Sequence, residues 1–283
     1  EVLSKPIAGR KKTHFVTGFA EHEEETYTDP LISRDESRTL RAIGLQYRNE
    51  IAQQLYLSAT IRHDANDQFQ DADTYSLSAA WQIPGTGTRL HASYGTGVTA
   101  PTFIEQFGFI PATFIGNADL VPEESVGWDV GVEQSFFEDA LIVDLTYFEA
   151  GLENEIFTAF LPSFETTPQN STSDSDRSGW ELSVSATPMD GLSLNGAYSQ
   201  LDATEPAGIE IRRPKEQASL DASWDFAGSP FQLNLGLTHV GENIDTDFAT
   251  FLRTELDPYT LIRLGASWEV DDSFEIYTRV ENL

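Results

Sequence analysis

The sequence contains no cysteine and a single methionine in 283 residues. Without thiols it forms no disulfide framework and no thiolate metal site, and this absence is compatible with both the cytosol and the cell envelope. Glycine, tyrosine and phenylalanine are frequent by contrast, with 20, 9 and 18 occurrences. This composition favours strands and turns over an all-helical structure.

Basic residues and long apolar runs are also scarce. The 17 lysine and arginine residues stand against 46 acidic residues, which gives a formal net charge of -29. Nucleic acid is therefore excluded as a main partner, because binding to phosphates depends on basic patches. No apolar run approaches the roughly 18 residues of a transmembrane helix, whereas a strand of a membrane β-barrel needs only about 10 residues of alternating polarity.

Alternation of apolar and polar residues is the strongest pattern that is present. In 89–98, for example, Leu90 and Tyr94 share one face of a predicted strand, and Arg89 and His91 share the other. This period of two predicts roughly thirteen strands, at 12–26, 38–47, 52–63, 73–83, 89–98, 125–136, 140–150, 178–187, 191–201, 218–226, 230–240, 259–270 and 273–282.

The predicted connections alternate between two lengths. Short turns are predicted at 48–51, 84–87, 137–140, 188–191, 227–230 and 271–272. Long loops are predicted at 27–36, 64–73, 99–124, 151–177, 202–216 and 241–258. Tight turns at one end of a meander and long loops at the other are typical of an outer-membrane β-barrel. A soluble β-sandwich, with its apolar faces packed together, is the alternative.

Aromatic residues follow the same division. Trp81, Trp224, Phe226, Phe231, Trp268 and Phe274 flank the short turns, and Tyr94, Trp128, Tyr147, Trp180 and Tyr198 adjoin the long loops. Two such belts are typical of the two interfaces of a membrane barrel. The interpretation is therefore an all-β, antiparallel transmembrane β-barrel.

Candidate catalytic and metal-binding residues are sparse. The sequence contains no nucleophile elbow, phosphate-binding loop or zinc-binding helix motif, and its five histidines are scattered, so neither an enzyme nor a cofactor is expected. The loop at 64–73 offers Asp64, Asp67, Asp71 and Asp73. Carboxylate oxygens suit calcium, although the spacing is not that of an EF-hand. This segment is a possible calcium loop or simply a solvated acidic loop.

The stretch 91–134, "HASYGTGVTAPTFIEQFGFIPATFIGNADLVPEESVGWDVGVEQ", resembles the hallmark region of TonB-dependent outer-membrane receptors. That family shows a strand of the form "YGTGFKAPT", an aromatic "ELYG"-like loop, "GNPNLKPE" and a strand like "S.GWELGVE". The C-terminal "VENL" is also similar to a family signature. The motif residues matched here are Tyr94, Gly95, Gly97, Pro101, Asn117, Leu120, Pro122, Glu123, Gly131 and Glu133.

The resemblance implies a plugged barrel of roughly 22 strands that imports a ferric siderophore, cobalamin or a similar scarce nutrient. All of 1–283 is then expected to be part of one barrel domain, a fragment with about 13 strands that lacks the N-terminal plug and the last strand. The implied partners are outer-membrane lipid and lipopolysaccharide, the TonB-ExbB-ExbD system through the missing N-terminal region, and a small-molecule or metal-chelate ligand. The implied location is the outer membrane of a Gram-negative bacterium.

The aromatic run at 103–114 is then expected to form an extracellular loop whose unclaimed side chains contact the ligand. The residues expected to do so are Phe103, Gln106, Phe107, Phe109 and Phe114. Packing of these rings against neighbouring loops or the plug is the alternative. A passive channel, or a structural or adhesive barrel, is the alternative function.

Overall fold

A computed structural model describes residues 3–4, 7–9, 12–31, 33–110, 113–205, 208–226, 228–250, 252–271 and 273–282. Within these residues the structure consists of twenty strands and one short helix, which confirms the predicted all-β fold. The elements are β1 (Leu3–Ser4), β2 (Ile7–Gly9), β3 (Lys12–Asp29), β4 (Arg34–Ile51), β5 (Leu55–Asn66), β6 (Ala72–Ile83), β7 (Thr88–Thr99), α1 (Phe103–Phe107), β8 (Glu123–Phe136), β9 (Leu141–Glu153), β10 (Ile156–Phe160), β11 (Thr166–Asn170), β12 (Ser175–Met189), β13 (Leu192–Glu205), β14 (Gly208–Ile209), β15 (Glu216–Asp225), β16 (Phe231–Val240), β17 (Asn243–Asp247), β18 (Leu252–Leu256), β19 (Tyr259–Asp271) and β20 (Phe274–Glu281).

The main sheet is a meander in which neighbours in sequence are neighbours in space. Its strand order is β1-β3-β4-β5-β6-β7-β8-β9-β12-β13-β15-β16-β19-β20, with β2 paired to β3 and β14 paired to β13. The strand pairs are antiparallel, for example β3 with β4 and β16 with β19. Each of the thirteen predicted strands has its counterpart here, with ends that differ by several residues.

The first long loop is wrong as predicted. Most of 27–36 belongs to β3 and β4, where Tyr27 pairs with Glu36 and Asp29 pairs with Arg34. Opposite charges on facing strands stabilise such an extension of the hairpin. Because these residues do not alternate between apolar and polar, the extension could not be predicted from the sequence pattern. The β3–β4 hairpin is therefore much longer than its apolar part.

The first short turn is also displaced. Residues 48–51 belong to β4 and pair with β3 on one side and β5 on the other. The turn follows at Ala52 and Gln53, with φ angles of 56° and 58°. Two successive left-handed residues make the turn whose twist matches a hairpin. Glycine or asparagine usually marks such a turn, and neither occurs at these two positions. The predicted turns at 227–230 and 271–272 include positions 227 and 272, which lie outside the described residues.

Four of the predicted long loops contain short elements of their own, among them the two-residue strand β14 in the loop at 202–216. The other three loops contain five-residue elements. The loop at 99–124 contains α1, the loop at 151–177 contains the β10–β11 hairpin, and the loop at 241–258 contains the β17–β18 hairpin. Each of these elements has five residues, which is too short for a periodic pattern to be distinctive. No described helix is long and apolar enough to cross a membrane.

The chain divides into two compact units. Unit 1 comprises Glu1–Trp81, Ala92–Trp128 and Ala150–Asp176, and unit 2 comprises Gln82–His91, Asp129–Glu149 and Arg177–Leu283. Both units expose large apolar side chains along their strands. Ile43 and Ile61 of unit 1 are 62% and 61% exposed, and unit 2 has a similar set in Val130, Leu233, Leu264 and Trp268.

This exposure contradicts the sandwich alternative, because a sandwich buries the apolar face of each strand between its sheets. Among the described residues, the buried apolar side chains are those of Ala42, Pro101, Leu120, Pro168 and Ala203. The apolar faces of the strands are therefore available to an apolar environment outside the chain.

The turn between β12 and β13 requires a glycine. Gly191 has a φ of 79°, and a Cβ placed there would lie 2.0 Å from the carbonyl oxygen of Asp225. Gly228 has a similar φ of 72° but no atom within 4 Å of its Cβ position. Alanine at either position carries the left-handed penalty of about 1 kcal/mol, but only alanine at position 191 collides with backbone.

We therefore expect Gly191→Ala to lower the urea midpoint of unfolding, measured by tryptophan fluorescence in detergent, clearly more than Gly228→Ala does. The two variants share the conformational penalty, so their difference isolates the collision. Equal midpoints for the two variants would contradict this account of the turn.

Candidate functional site

Helix α1 lies in the connection between β7 and β8 and is defined at both ends by its sequence. Thr102 Oγ1 accepts a hydrogen bond from Glu105 N at 3.2 Å, and Thr102 N donates to Glu105 Oε2 at 2.7 Å. This reciprocal pair is a capping box. Gly108 ends the helix with a φ of 74°, which favours glycine. The Thr-x-x-Glu spacing makes this helix predictable, and the prediction of a loop throughout 103–114 is wrong for this segment.

The aromatic face of α1 packs against the outer end of the β3–β4 hairpin. Phe103 and Phe107 stack on one another with ring centroids 6.1 Å apart, and Tyr27 stacks on Phe103 at 5.7 Å. The guanidinium of Arg38 lies 4.7 Å from the Phe103 ring centroid, and that of Arg34 lies 4.8 Å from the Phe107 centroid. These are cation–π contacts. Two of the five predicted ligand-contacting residues are thus engaged in packing.

Hydrogen bonds fasten both ends of α1 to the same hairpin. Arg38 Nη1 donates to the carbonyl oxygen of Pro101 at 2.6 Å, and Arg38 Nε donates to Glu25. At the other end, the Tyr27 hydroxyl lies 3.1 Å from the carbonyl oxygen of Gly108. The long strands β3 and β4 therefore serve as the platform on which this loop is built.

The other three predicted ligand-contacting residues, Gln106, Phe109 and Phe114, do not take part in the packing of α1 against the β3–β4 hairpin described above. Gln106 is only 6% exposed, and its Oε1 has no hydrogen-bond partner among the described residues. Leaving a buried polar atom unpaired costs about 1–3 kcal/mol. Phe109 is 39% exposed and Phe114 is half-buried, with their ring centroids 5.3 Å apart. Ligand contact by these residues stays a prediction.

The motif residues after α1 connect it to the β10–β11 hairpin. Asn117 Nδ2 donates to the carbonyl oxygen of Pro168 at 3.0 Å, and Glu123 Oε1 accepts from Ile156 N at 2.6 Å. Leu120 is 3% exposed. These motif residues therefore position one loop against another. Pro122 borders the cavity described below.

The motif residues on the strands make close contacts within their own unit. Tyr94 stacks on Tyr75 at 5.8 Å, next to Gly95. A Cβ at Gly97 would lie 2.8 Å from Ser125 Oγ, and one at Gly131 would lie 2.4 Å from the His91 ring. Glu133 accepts a hydrogen bond from Arg89 at 2.9 Å, and Pro101 is fully buried.

The four aspartates of the possible calcium loop each have a different partner. Asp64 accepts a hydrogen bond from Arg62 at 2.7 Å, and Asp67 accepts one from the backbone N–H of Thr39 at 3.0 Å. Asp71 accepts one from the backbone N–H of Asn66 at 3.3 Å, and Asp73 lies 2.8 Å from the ring of His63. No group of three or more histidine, aspartate or glutamate side chains is arranged to hold a metal ion within the described part of the chain. Calcium binding by this loop stays a prediction.

A cavity of about 520 Å³ adjoins α1 in unit 1. Its polar wall includes Glu25, Arg38, Arg62 and Asp64, and its other lining residues include Leu40, Phe69, Ala72, Gly97, Thr99, Ala100 and Pro122. Pockets for small molecules commonly have this size and combine apolar lining with a few polar groups. The cavity and α1 together form the candidate functional site.

A second ion-paired cluster holds the loops of unit 2. Glu210 is 7% exposed and accepts from Arg177 Nε at 2.7 Å and from Arg213 Nε at 2.9 Å. Burial by itself raises the pKa of Glu210, but the two guanidinium groups outweigh it and hold that pKa below its usual value. The partners are 33 and three residues away in sequence, so the arrangement has no local sequence signal.

Removing the guanidinium of Arg38 should loosen α1. We expect Arg38→Ala to accelerate hydrogen exchange at the amides of Gln106 and Gly108 by at least about tenfold, because a charged hydrogen bond contributes about 1.5–3 kcal/mol. Arg263→Ala is the control, since Arg263 pairs with Asp221 at an exposed site in unit 2 and makes no contact with α1 among the described residues. Equal exchange rates in the two variants would show that Arg38 does not hold the helix.

Acid should loosen the cluster around Glu210. A carboxyl group with a lowered pKa in the folded state stabilises that state above its unfolded pKa, and the stabilisation is lost as the pH falls through the lowered value. We expect the Glu210 amide, which donates to Ala203 O at 3.0 Å, to keep its protection factor from neutral pH down to about pH 5 and to lose it in stronger acid. Glu210→Gln should show a flat profile over the same range, and a flat wild-type profile would contradict this assignment.

Comparison with known proteins identifies the family. The family model described as TonB dependent receptor-like, beta-barrel, matches residues 15–283. The vitamin B12 transporter BtuB of Photobacterium profundum is 29% identical over 232 residues, which cover 79% of this chain and 36% of that protein. BtuB of Vibrio cholerae serotype O1 is 26% identical over 275 residues, which cover 94% of this chain and 42% of that protein.

Solved structures share the fold at low identity. A variant of the ferric enterobactin receptor PfeA of Pseudomonas aeruginosa, in complex with enterobactin, has a TM-score of 0.83 at 16% identity and covers 100% of this chain and 48% of its own. The siderophore receptor PirA of Pseudomonas aeruginosa has a TM-score of 0.78 at 19% identity, covering 100% of this chain and 50% of its own. The chain thus spans about half the length of these receptors, and less than half that of the matched transporters. With its meander of antiparallel strands and the ordered motifs around α1, the chain belongs to the TonB-dependent receptor family, as part of its β-barrel.

Proposed function

We propose that this chain forms part of the wall of an outer-membrane transporter that imports a scarce nutrient with energy from the TonB system. The observation that carries the proposal is the exposed apolar face of the strands in both units. Such a face, flanked by aromatic belts, is what a barrel presents to lipid. Outer-membrane lipid and lipopolysaccharide are then the partners of that face.

Coupling to TonB, ExbB and ExbD is proposed for the whole protein, of which this chain supplies barrel strands. Family membership supports this coupling, because the family is defined by its dependence on TonB. The family and the matched relatives are receptors and transporters, so we propose transport without covalent chemistry. The outer membrane of a Gram-negative bacterium is the corresponding location.

The proposed ligand is a small molecule or metal chelate that enters beside α1. Two observations support this site: the cavity of about 520 Å³ in unit 1, and the ring pair of Phe109 and Phe114 that follows α1, in which Phe109 is 39% exposed. The similar curated proteins are vitamin B12 transporters and the similar structures are siderophore receptors. Cobalamin and ferric siderophores are therefore the two ligand classes to test.

The rival function is a passive channel or a structural barrel. To separate them, the intact gene is expressed in a strain that lacks its own vitamin B12 and siderophore receptors, with and without a functional TonB protein. We expect saturable uptake of labelled cyanocobalamin or ferric enterobactin that disappears without TonB. Uptake that is linear in concentration and independent of TonB would establish the passive channel.

Phe109 provides a test of the ligand site within the same assay. We expect Phe109→Ala to weaken binding of the transported ligand by about tenfold, since one aromatic contact contributes roughly 0.5–1.5 kcal/mol beyond buried area. Phe137→Ala is the control, because Phe137 is 80% exposed and lies in the short β8–β9 turn. Equal affinities for the wild type and Phe109→Ala would exclude this ring from the site.

A further inference from the structure

The charges around the cavity in unit 1 carry information on the ligand. The polar lining residues Arg38, Arg62 and Asp64 alternate along their strands with exposed apolar residues such as Ile43 and Ile61. Because successive side chains of a strand point to opposite faces, the cavity lies on the face away from the proposed lipid contact. A ligand in it would meet these charged groups directly.

Both guanidinium groups of the cavity are already paired with a carboxylate of the chain. Arg62 donates to Asp64 from Nε and Nη2, at 2.8 and 2.7 Å, and from Nη1 to Glu21 at 2.8 Å. Arg38 donates to Glu25 and to the carbonyl oxygen of Pro101. An anionic ligand would therefore compete with these carboxylates for the positive charge of both guanidinium groups.

Carboxylates outnumber guanidinium groups on this face. Glu21, Glu23 and Glu25 lie on one side of β3 at intervals of about 7 Å, and Asp64 of β5 faces the same side. The carboxylate of Glu23 makes no hydrogen bond or ion pair with any described residue, whereas the other three carboxylates accept hydrogen bonds from the two arginines. Within the lining, Glu25 and Asp64 balance Arg38 and Arg62, and Glu21 and Glu23 on the same face of β3 add two further negative charges beside the cavity.

From this arrangement we infer that the site selects a ligand that is neutral or cationic overall and rejects polyanionic chelates. The inference rests on the proposed function, since it specifies the ligand of the same transporter. Its physical basis is the repulsion between the surplus carboxylates and a polyanion, combined with the pairing of both described guanidinium groups of the cavity with carboxylates of the chain. The apolar and small lining residues, such as Leu40 and Ala72, suit an uncharged ligand surface.

The test measures binding of two probes to the intact receptor in detergent: cyanocobalamin, which is uncharged overall, and ferric enterobactin, which is polyanionic. The double variant Glu21→Gln with Glu23→Gln removes two negative charges from the cavity side. Glu24→Gln is the matched control, because Glu24 points to the opposite face of the same strand. Each titration is run at low and at high sodium chloride.

We expect the double variant to gain at least about fivefold in affinity for ferric enterobactin at low salt and less at high salt, where added ions screen the removed repulsion. Affinity for cyanocobalamin should change less than about twofold by the same electrostatic argument. The Glu24→Gln variant should match the wild type for both probes.

Tighter binding of ferric enterobactin than of cyanocobalamin by the wild type at low salt would overturn the inference. The inference would also be overturned if the double variant showed no gain in affinity for ferric enterobactin. This includes the case in which the wild type binds neither probe. These outcomes are distinct from failure of the proposed function, which is judged by whether uptake and growth depend on TonB. A receptor that imports ferric enterobactin with TonB would retain the function and refute the charge selection.

Discussion

Pairing of backbone hydrogen bonds between neighbouring antiparallel strands is the constraint on which the rest of this structure depends. A strand that crosses lipid must satisfy all of its N–H and C=O groups within the protein. The meander does this by placing each inner strand of the main sheet between two hydrogen-bonded neighbours, with the short strands of the loops outside this path. Side chains are then free to differ on the two faces, which is why large apolar residues remain exposed and few are buried.

The same ladder supplies a rigid support for the loops. The β3 and β4 strands continue beyond their apolar part through pairs such as Asp29 with Arg34. Tyr27 and Arg38 from this extension hold α1 through ring stacking, cation–π contact and hydrogen bonds to its two ends. The loop is thus ordered by charged and aromatic contacts, because it has little apolar core of its own.

These contacts also determine what the loop offers to a ligand. Arg38 and Arg62 each donate hydrogen bonds to carboxylates of the chain, and Arg38 also donates to the carbonyl oxygen of Pro101, so their positive charge stabilises this part of the structure. Phe103 and Phe107 are engaged in the same packing, and the more exposed aromatic surface lies at Phe109. For the proposed ligand site, recognition would then rest on apolar contact, neutral hydrogen bonding and a surplus of negative charge.

The sequence by itself determined the strands, because polarity that alternates between adjacent residues is a local property that β-strand geometry translates directly into two faces. It also contained the family motifs, and a capping box at Thr102 and Glu105 from which α1 is predictable. Only the tertiary structure decided which residues remote in sequence meet, such as Phe103 with Tyr27 and Glu210 with Arg177. It also decided the position of the turn at Ala52. These outcomes depend on contacts between segments that are remote in sequence, or on backbone conformations that the residue types do not announce, so no local pattern specifies them.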